Sequence, residues 1–326
     1  MTWQGTLCRH AALLLLSVML LAPGLTSCDL DDSRDACCRE NMLHFRYFYL
    51  GSDCFGRYIS KVRYFLFDCD GAFMREMPPV PTSSQDVDIS SLTPGDYTVV
   101  AVGNLFSYAT LTDFDHVRAD GPLTDLARFR LKVTRYSDAY PSMFAGGDPL
   151  YWGEKSFTVA PQGKNFFIGE LSNVHCCFTV KVVWDLTPPY PDGNGFSYHL
   201  SDVGCEFDAG GADADHIGIH SFPVVAYAGC SSATEASFAS NALIASTYTL
   251  RWSREHIPVF SLWRYGERVT KDVDIAMLFR KWNVKPWLDE VQNYSITIRI
   301  TAGGSIVVSY GADASVKDWQ DGGSLG

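Results

Sequence analysis

Basic residues are scarce in this 326-residue chain. Its 26 Lys and Arg stand against 37 Asp and Glu, a net charge of −11. An acidic balance argues against nucleic acid, whose phosphates need a cationic footprint, and against electrostatic docking to anionic lipid. Long hydrophobic runs are also missing. The run Ala11 to Ala22 is a dozen residues, about 18 Å as a helix, too short for a ~30 Å hydrocarbon core. No Cys-x-x-Cys occurs, which removes zinc ribbons and thioredoxin-type redox chemistry. There is no His-Glu-x-x-His, no P-loop and no Gly-x-Gly-x-x-Gly, so zinc-protease, nucleotide-triphosphate and dinucleotide chemistries have no motif to stand on.

What is present begins at the N-terminus. A single basic residue, Arg9, precedes the apolar run, and Pro23-Gly24 ends any helix there. Leu25, Thr26 and Ser27 then lead to Cys28. This arrangement is a signal-peptide core, and its end resembles a bacterial lipobox. The resemblance implies cleavage before Cys28, a thioether diacylglycerol on its sulfur and an acyl group on its amine. Two or more chains hold a membrane firmly, at ~0.8 kcal/mol per buried CH₂. Asp29 to Asp35 is charged and has little to bury, so it reads as a solvated tether. Its acids resemble the short acidic signal that sends Bacteroidetes lipoproteins to the cell surface.

Ten cysteines are present. Cys8 leaves with the signal and Cys28 carries lipid. The others are Cys37, Cys38, Cys54, Cys69, Cys176, Cys177, Cys205 and Cys230, an even number that permits disulfides in an exported chain without fixing their connectivity. Cys176 and Cys177 fall in a strand-like run, so they should face opposite ways, one of them into the core.

Period-two alternation and turn residues set the organisation. Strands are expected at 43–49, 58–68, 73–77, 87–89 and 97–103. Asp70-Gly71 marks a hairpin, Pro94-Gly95 the centre of a type II turn, and Gly103-Asn104 a strand end. Residues 105–125 read as loop. Ala127 to Val133 alternates apolar and basic and reads as a half-exposed strand. Tyr151-Trp152-Gly153 and Phe157-Thr158-Val159 read as a hairpin, and 165–171 as a strand. Further strands are expected at 174–185, 196–207, 247–252, 259–265, 294–300 and 305–310, whereas 208–240 has no clear pattern. Apolar residues at 275, 278, 279 and 282 predict one short helix. Many short strands with little helix make an all-β fold of two consecutive β-sandwiches. The chain then divides into a signal peptide (1–27), a lipidated acidic tether (28–41), an N-terminal sandwich (42–171) and a C-terminal sandwich (172–326).

Candidate chemistry is thin. Asp213, Asp215, His216 and His220 are the best metal candidates. A helix would bring the two histidines to one ion, but a strand would hold them about 13 Å apart, and Gly218 between them speaks against a helix. Asp192-Gly193-Asn194-Gly195 has no Glu at the twelfth position of a calcium loop and reads as a turn. Metals and cofactors are therefore not expected, nor is a catalytic residue. Carboxylates are plentiful, but nothing places two across a cleft, so a lipid-anchored hydrolase ranks last. The tryptophans 152, 184, 252, 263, 282, 287 and 319 suggest a sugar-stacking platform, and a surface glycan-binding lipoprotein is the alternative function.

Several features in order resemble the fimbrillin-A-associated anchor proteins of Bacteroidales fimbriae. They are the lipobox at Cys28 with its acidic tether, the aromatic strand Val62 to Asp68 with Asp70-Gly71, and Leu92-Thr93-Pro94-Gly95-Asp96-Tyr97 closing at Gly103-Asn104. Tyr151-Trp152-Gly153 and a terminal Trp319 complete the set. The resemblance implies transthyretin-like sandwiches and no enzymatic activity. It further implies a lipoprotein, surface-exposed on the outer membrane, that holds a fimbrial shaft subunit by strand exchange and affects fimbrial assembly and length. Stalk subunits lose their leader by cleavage after an Arg. Arg34, Arg39 and Arg46 stand where such a cut would fall.

Overall fold

The computed structural model describes residues 40–80, 84–106, 109–111, 126, 129–133, 135–137, 140–145, 147–186, 191, 195–208, 213–223, 225–226 and 241–311. The fold class is the expected one: all-β, two consecutive sandwiches of the transthyretin-like kind, with little helix.

In the first sandwich the strand Asn41–Arg46 is the middle of a three-stranded sheet. It runs parallel to Asn165–Glu170 and antiparallel to Asp86–Asp88. Alternation sends Leu43 and Phe45 inward and leaves Met42, His44 and Arg46 partly exposed. Across the core lies a five-stranded sheet, ordered Ser172–Asn173, Tyr151–Val159, Gly95–Gly103, Val62–Asp68, Phe73–Glu76. Tyr64, Leu66, Tyr97, Val99, Ala101 and Phe157 meet Leu43 and Phe45 between the two sheets.

The five-stranded sheet is buried on its other face as well. Phe65, Phe67, Val100, Val102 and Trp152 point away from the first core and pack on Leu111, Phe129, Leu131, Phe207 and Leu250. A strand covered on both sides reads as a continuous apolar run, as Tyr64-Phe65-Leu66-Phe67 does. The same cause corrects the expected hairpin at 151–159. Tyr151–Val159 is one strand, paired along its length with Gly95–Gly103, and its first three residues are all buried because both faces are covered there.

Sheet membership does not follow chain order. Ala109–Leu111, expected as loop, is a strand paired with Arg130–Val133, which pairs in turn with the far end of Phe196–Asp208. Arg130–Val133 therefore has neighbours on both sides and is not an edge, and Phe129, Leu131 and Val133 are buried. Arg135–Ser137 and Tyr140–Ala145 extend the same nine-stranded sheet beside Asp213–Pro223. The strands Ala109–Leu111, Arg130–Val133, Arg135–Ser137 and Tyr140–Ala145 thus join the sheet of the second sandwich rather than the first.

That nine-stranded sheet also contains Val259–Arg264, and it faces a second five-stranded sheet ordered Val225–Ala226, Ala242–Leu250, His175–Asp185, Asn293–Thr301, Ile306–Tyr310. Phe178, Val180 and Val182 meet Tyr198, Leu200, Phe260 and Leu262 in the core. The expected helix is Ile275–Trp282, capped by Asp274, whose carboxylate accepts from the Met277 N–H, and ended by Asn283 at φ 54°. Ile275, Leu278 and Phe279 are its buried face. Cys176 is fully buried and Cys177 half-buried, as alternation requires. The five described cysteines, at 54, 69, 176, 177 and 205, form no disulfide.

Two corners depend on particular residues. Gly95 stands at φ 157°, far from the roughly +80° of a type II turn and in a region that L side chains rarely adopt, and is already the first strand residue. The corner is closed instead by Tyr97, whose hydroxyl donates to the Thr93 carbonyl (2.9 Å). Asn104, at φ 57° and 2% exposed, ends the strand. Its Oδ1 accepts from the Ser60 N–H (2.9 Å) and its Nδ2 donates to the carbonyls of Tyr58 (2.8 Å) and Pro149 (3.2 Å).

Candidate functional site

The first described strand is seated in its own sandwich. Leu43 and Phe45 are completely buried. At the strand's start, the Asn41 N–H donates to the Ser90 hydroxyl oxygen (3.0 Å) and its Oδ1 accepts from the Asn165 side-chain amide (2.8 Å). At its end, Arg46 pairs with Glu170 (2.8 Å), and the Arg46 carbonyl accepts from the Leu171 N–H (2.8 Å). A cut after Arg46 would pass between this strand and its clamp. The bonds at both ends make the strand an integral layer of the sheet rather than a loose leader.

The three-stranded sheet has two unlike edges. Asp86–Asp88 is short and acidic, which blunts it. Asn165–Glu170 is longer, and it exposes Phe166 (61%) and Ile168 (39%) on the outer face, where Phe166 packs on the His44 ring at 5.7 Å. Among the described residues that strand is an edge of its sheet. The sequence predicts the strand but not its exposed face, because Phe166, Phe167 and Ile168 are apolar on both sides and alternation cannot tell in from out.

An open cleft of about 660 Å³ runs where the sandwiches meet. Trp152 and Glu154 come from the first sandwich, Ser172 and Asn173 from the linking strand, and Arg251, Arg254, Glu255 and Trp287 from the second. Burial raises the Glu154 carboxyl above its ordinary value. Beyond Asn173 a smaller crevice, about 200 Å³, is lined by Tyr47, Tyr49, Tyr58, Tyr151 and Tyr248. Burial, with Tyr49, Tyr58 and Glu290 nearby, pushes the Tyr47 phenol up to about 12. His175, which also lines the crevice, donates through Nδ1–H to the Leu150 carbonyl (2.8 Å), and burial draws its titration down to about 4.

Among the described residues the tryptophans form no shared platform. Trp152, Trp184 and Trp252 are buried core residues, Trp263 stacks on His199 at 4.9 Å, and Trp282 packs on Tyr310 at 5.3 Å. Trp287 reaches the cleft. Asp213–Pro223 is a strand, which removes the helical pairing of His216 with His220. Among the described residues no group of three or more His, Cys, Asp or Glu could hold a metal ion, and no helix is long and apolar enough to cross a membrane. Cys28, Leu25, Thr26 and Ser27 lie outside the described residues, as do Cys37, Cys38, Cys230, Asp192 to Asn194 and Trp319. A Gly-x-Ser-x-Gly match at Gly322–Gly326 falls there too, in a glycine-rich tail.

The family description of fimbrillin-A associated anchor proteins Mfa1 and Mfa2 matches residues 31–321. The chain belongs to this anchor-protein family. Solved structures share its fold. A candidate adhesin from Bacteroides ovatus superposes with a TM-score of 0.65 at 14% identity, over 84% of this chain and 94% of that one. A candidate polysaccharide-binding protein from Bacteroides thetaiotaomicron gives 0.62 at 16%, over 86% and 99%. The fimbrial anchor protein Mfa2 from Porphyromonas gingivalis gives 0.56 at 12%, over 84% and 98%. At such identities the likeness speaks to fold alone. A search of curated proteins returns no match. Membership places the chain among fimbria-associated adhesion proteins at the cell surface.

Proposed function

We propose that this chain is a non-enzymatic lipoprotein that anchors a fimbria to the outer membrane. Lipid on Cys28 provides the membrane attachment, and residues 29–40 form a tether of up to roughly 40 Å when extended. The division into 1–27, 28–41, 42–171 and 172–326 belongs to the same proposal, with four strands of the 42–171 unit, from Ala109–Leu111 to Tyr140–Ala145, lying in the sheet of the other. A shaft subunit joins by strand exchange, and the anchor thereby influences fimbrial assembly and length.

One observation carries the reading. The strand that directly follows the tether is Asn41–Arg46, and it fills the middle of its own sheet with Leu43 and Phe45 at zero exposure. A pull on the fimbria is then borne by a strand hydrogen-bonded on both sides and by the tether behind it. That central place is filled by the chain's own strand, paired on both sides, which suits the base of a polymer. The edge strand Asn165–Glu170 is where a partner strand would add.

The test is a Cys28→Ala change in the producing cell. The expected outcome is fimbriae released into the medium while shaft subunits still polymerise. Fimbriae that stay attached in normal number and length would remove the anchor reading.

A further inference from the structure

We infer that the cleft between the sandwiches is a saccharide-binding site, built around the indole of Trp287 and the carboxylate of Glu154. The inference is independent of the anchor reading. A chain that anchors fimbriae and binds no sugar would sink this proposal alone.

The chemistry of the walls selects the ligand class. A volume of about 660 Å³ falls within the ~300–1,000 Å³ of small-ligand sites. Acids and bases are nearly balanced along it: Glu154, Glu170 and Glu255 face Arg251 and Arg254. Nucleic acid would call for a cationic excess. A divalent ion would call for clustered ligands, and none occurs among the described residues. A peptide strand would need a free sheet edge, but the chain closes the edge beside the cleft itself. A Cβ built on Gly153 would stand 2.4 Å from the Glu170 carbonyl. What remains is a ligand with many hydroxyls, each both donor and acceptor, and an apolar ring face. Carboxylate, guanidinium, Ser172 hydroxyl and Asn173 amide supply the first kind of contact, and an indole the second.

The stacking residue is held in place before any ligand arrives. Arg251 donates through Nε to the Pro286 carbonyl (3.3 Å) and through Nη2 to the Asp289 carbonyl (3.0 Å). Gln292 Nε2 donates to the same two carbonyls, at 2.8 Å to Pro286. Leu288 N–H closes the turn on the Lys285 carbonyl (2.8 Å). Trp287 therefore sits on a loop pinned from both flanks, which lowers the entropy cost of binding.

Two polar groups of the cleft, on Glu154 and Trp152, have no hydrogen-bond partner among the described residues. Among the described residues none hydrogen-bonds the Glu154 carboxylate, although its environment already disfavours the charged form. The indole N–H of Trp152, in the cleft wall, is buried without an acceptor. A buried donor of that kind is costly unless something satisfies it.

The experiment uses the full chain in detergent on an array of immobilised oligosaccharides with neutral, N-acetylated and acidic ends. The best array sugar is then titrated in solution with tryptophan fluorescence as readout. Binding that falls at least about tenfold in Trp287→Ala and in Glu154→Gln, and less than about twofold in Trp263→Ala, supports the site. Trp263 lies outside the cleft, and Glu154→Gln keeps the side chain's shape, so a folding defect in Trp287→Ala would leave the test intact. The proposal is overturned by a folded chain that binds no array sugar, or by binding that all three variants retain.

Discussion

Replacing Phe45 by Ala tests whether the first strand is seated as a structural layer. The ring is fully buried and packs on Tyr64 with centroids 5.5 Å apart. It also lies directly over Gly169, where a Cβ would come within 2.5 Å of the ring. No side chain at 169 can therefore relax into the space left behind. Phe→Ala changes in cores cost about 3–5 kcal/mol, and a site that cannot collapse belongs in the upper part of that range, about 4 kcal/mol. A domain of this size has a urea m-value of about 2 kcal/mol per molar, so the unfolding midpoint of the first sandwich should fall by about 2 M. Circular dichroism in urea measures the shift. Hydrogen exchange adds a second readout, since the amides of Leu43 to Arg46 should be protected in the parent and lose protection in the variant. A midpoint shift below about 0.3 M with unprotected amides in the parent would show that the strand is not held in the sheet, and the argument for a base subunit whose own strand fills that place would fail with it.

Two further outcomes follow from other sites. Asn104→Ala removes the acceptor for Ser60 and the donor to Tyr58 and Pro149, and forces Ala to φ 57°. The expected loss is about 3 kcal/mol in a urea melt, of which Asn104→Gly should recover about 1 kcal/mol by easing the backbone; equal losses in the two variants would contradict the left-handed contribution. His175 is neutral in the folded chain, with its titration drawn down to about 4 by burial, against about 6.5 when unfolded. Between those values the unfolded chain binds the extra proton, so stability is fully present above pH 6.5 and is lost as pH falls toward 4, by about 3 kcal/mol in all. Urea midpoints at pH 7 and pH 4.5 should differ more in the parent than in His175→Asn; an identical pH dependence in the two would refute this.

Much of the fold could be read along the chain because its signals are local. Asp70-Gly71 turns the hairpin as expected, with Gly71 at φ 79° and the Asp68 carboxylate accepting from the Ala72 N–H (2.8 Å). Apolar positions 275, 278 and 279 are the buried face of the helix. Two segments differ from expectation, for separate reasons. The sequence at 151–159 reads as a hairpin because the strand's buried end lacks alternation, and 105–125 reads as loop because the partner of Ala109–Leu111 is distant in sequence.

The sequence by itself determined the all-β class, the strand-forming segments, the membership of an anchor family and the expectation of lipid on Cys28. Turn residues, alternation and a short N-terminal pattern act over a few residues, so a linear reading reaches them. Tertiary structure decided which segments share a sheet, and it sent the strands Ala109–Leu111, Arg130–Val133, Arg135–Ser137 and Tyr140–Ala145 across to the second sandwich. It also decided that, among the described residues, Asn165–Glu170 is an edge strand, that Trp152, Trp184 and Trp252 are core, and that Glu154 and Trp287, far apart in sequence, line one cleft. Those outcomes depend on which distant strands pair and which faces they cover, and pairing between distant strands leaves no local periodicity to read.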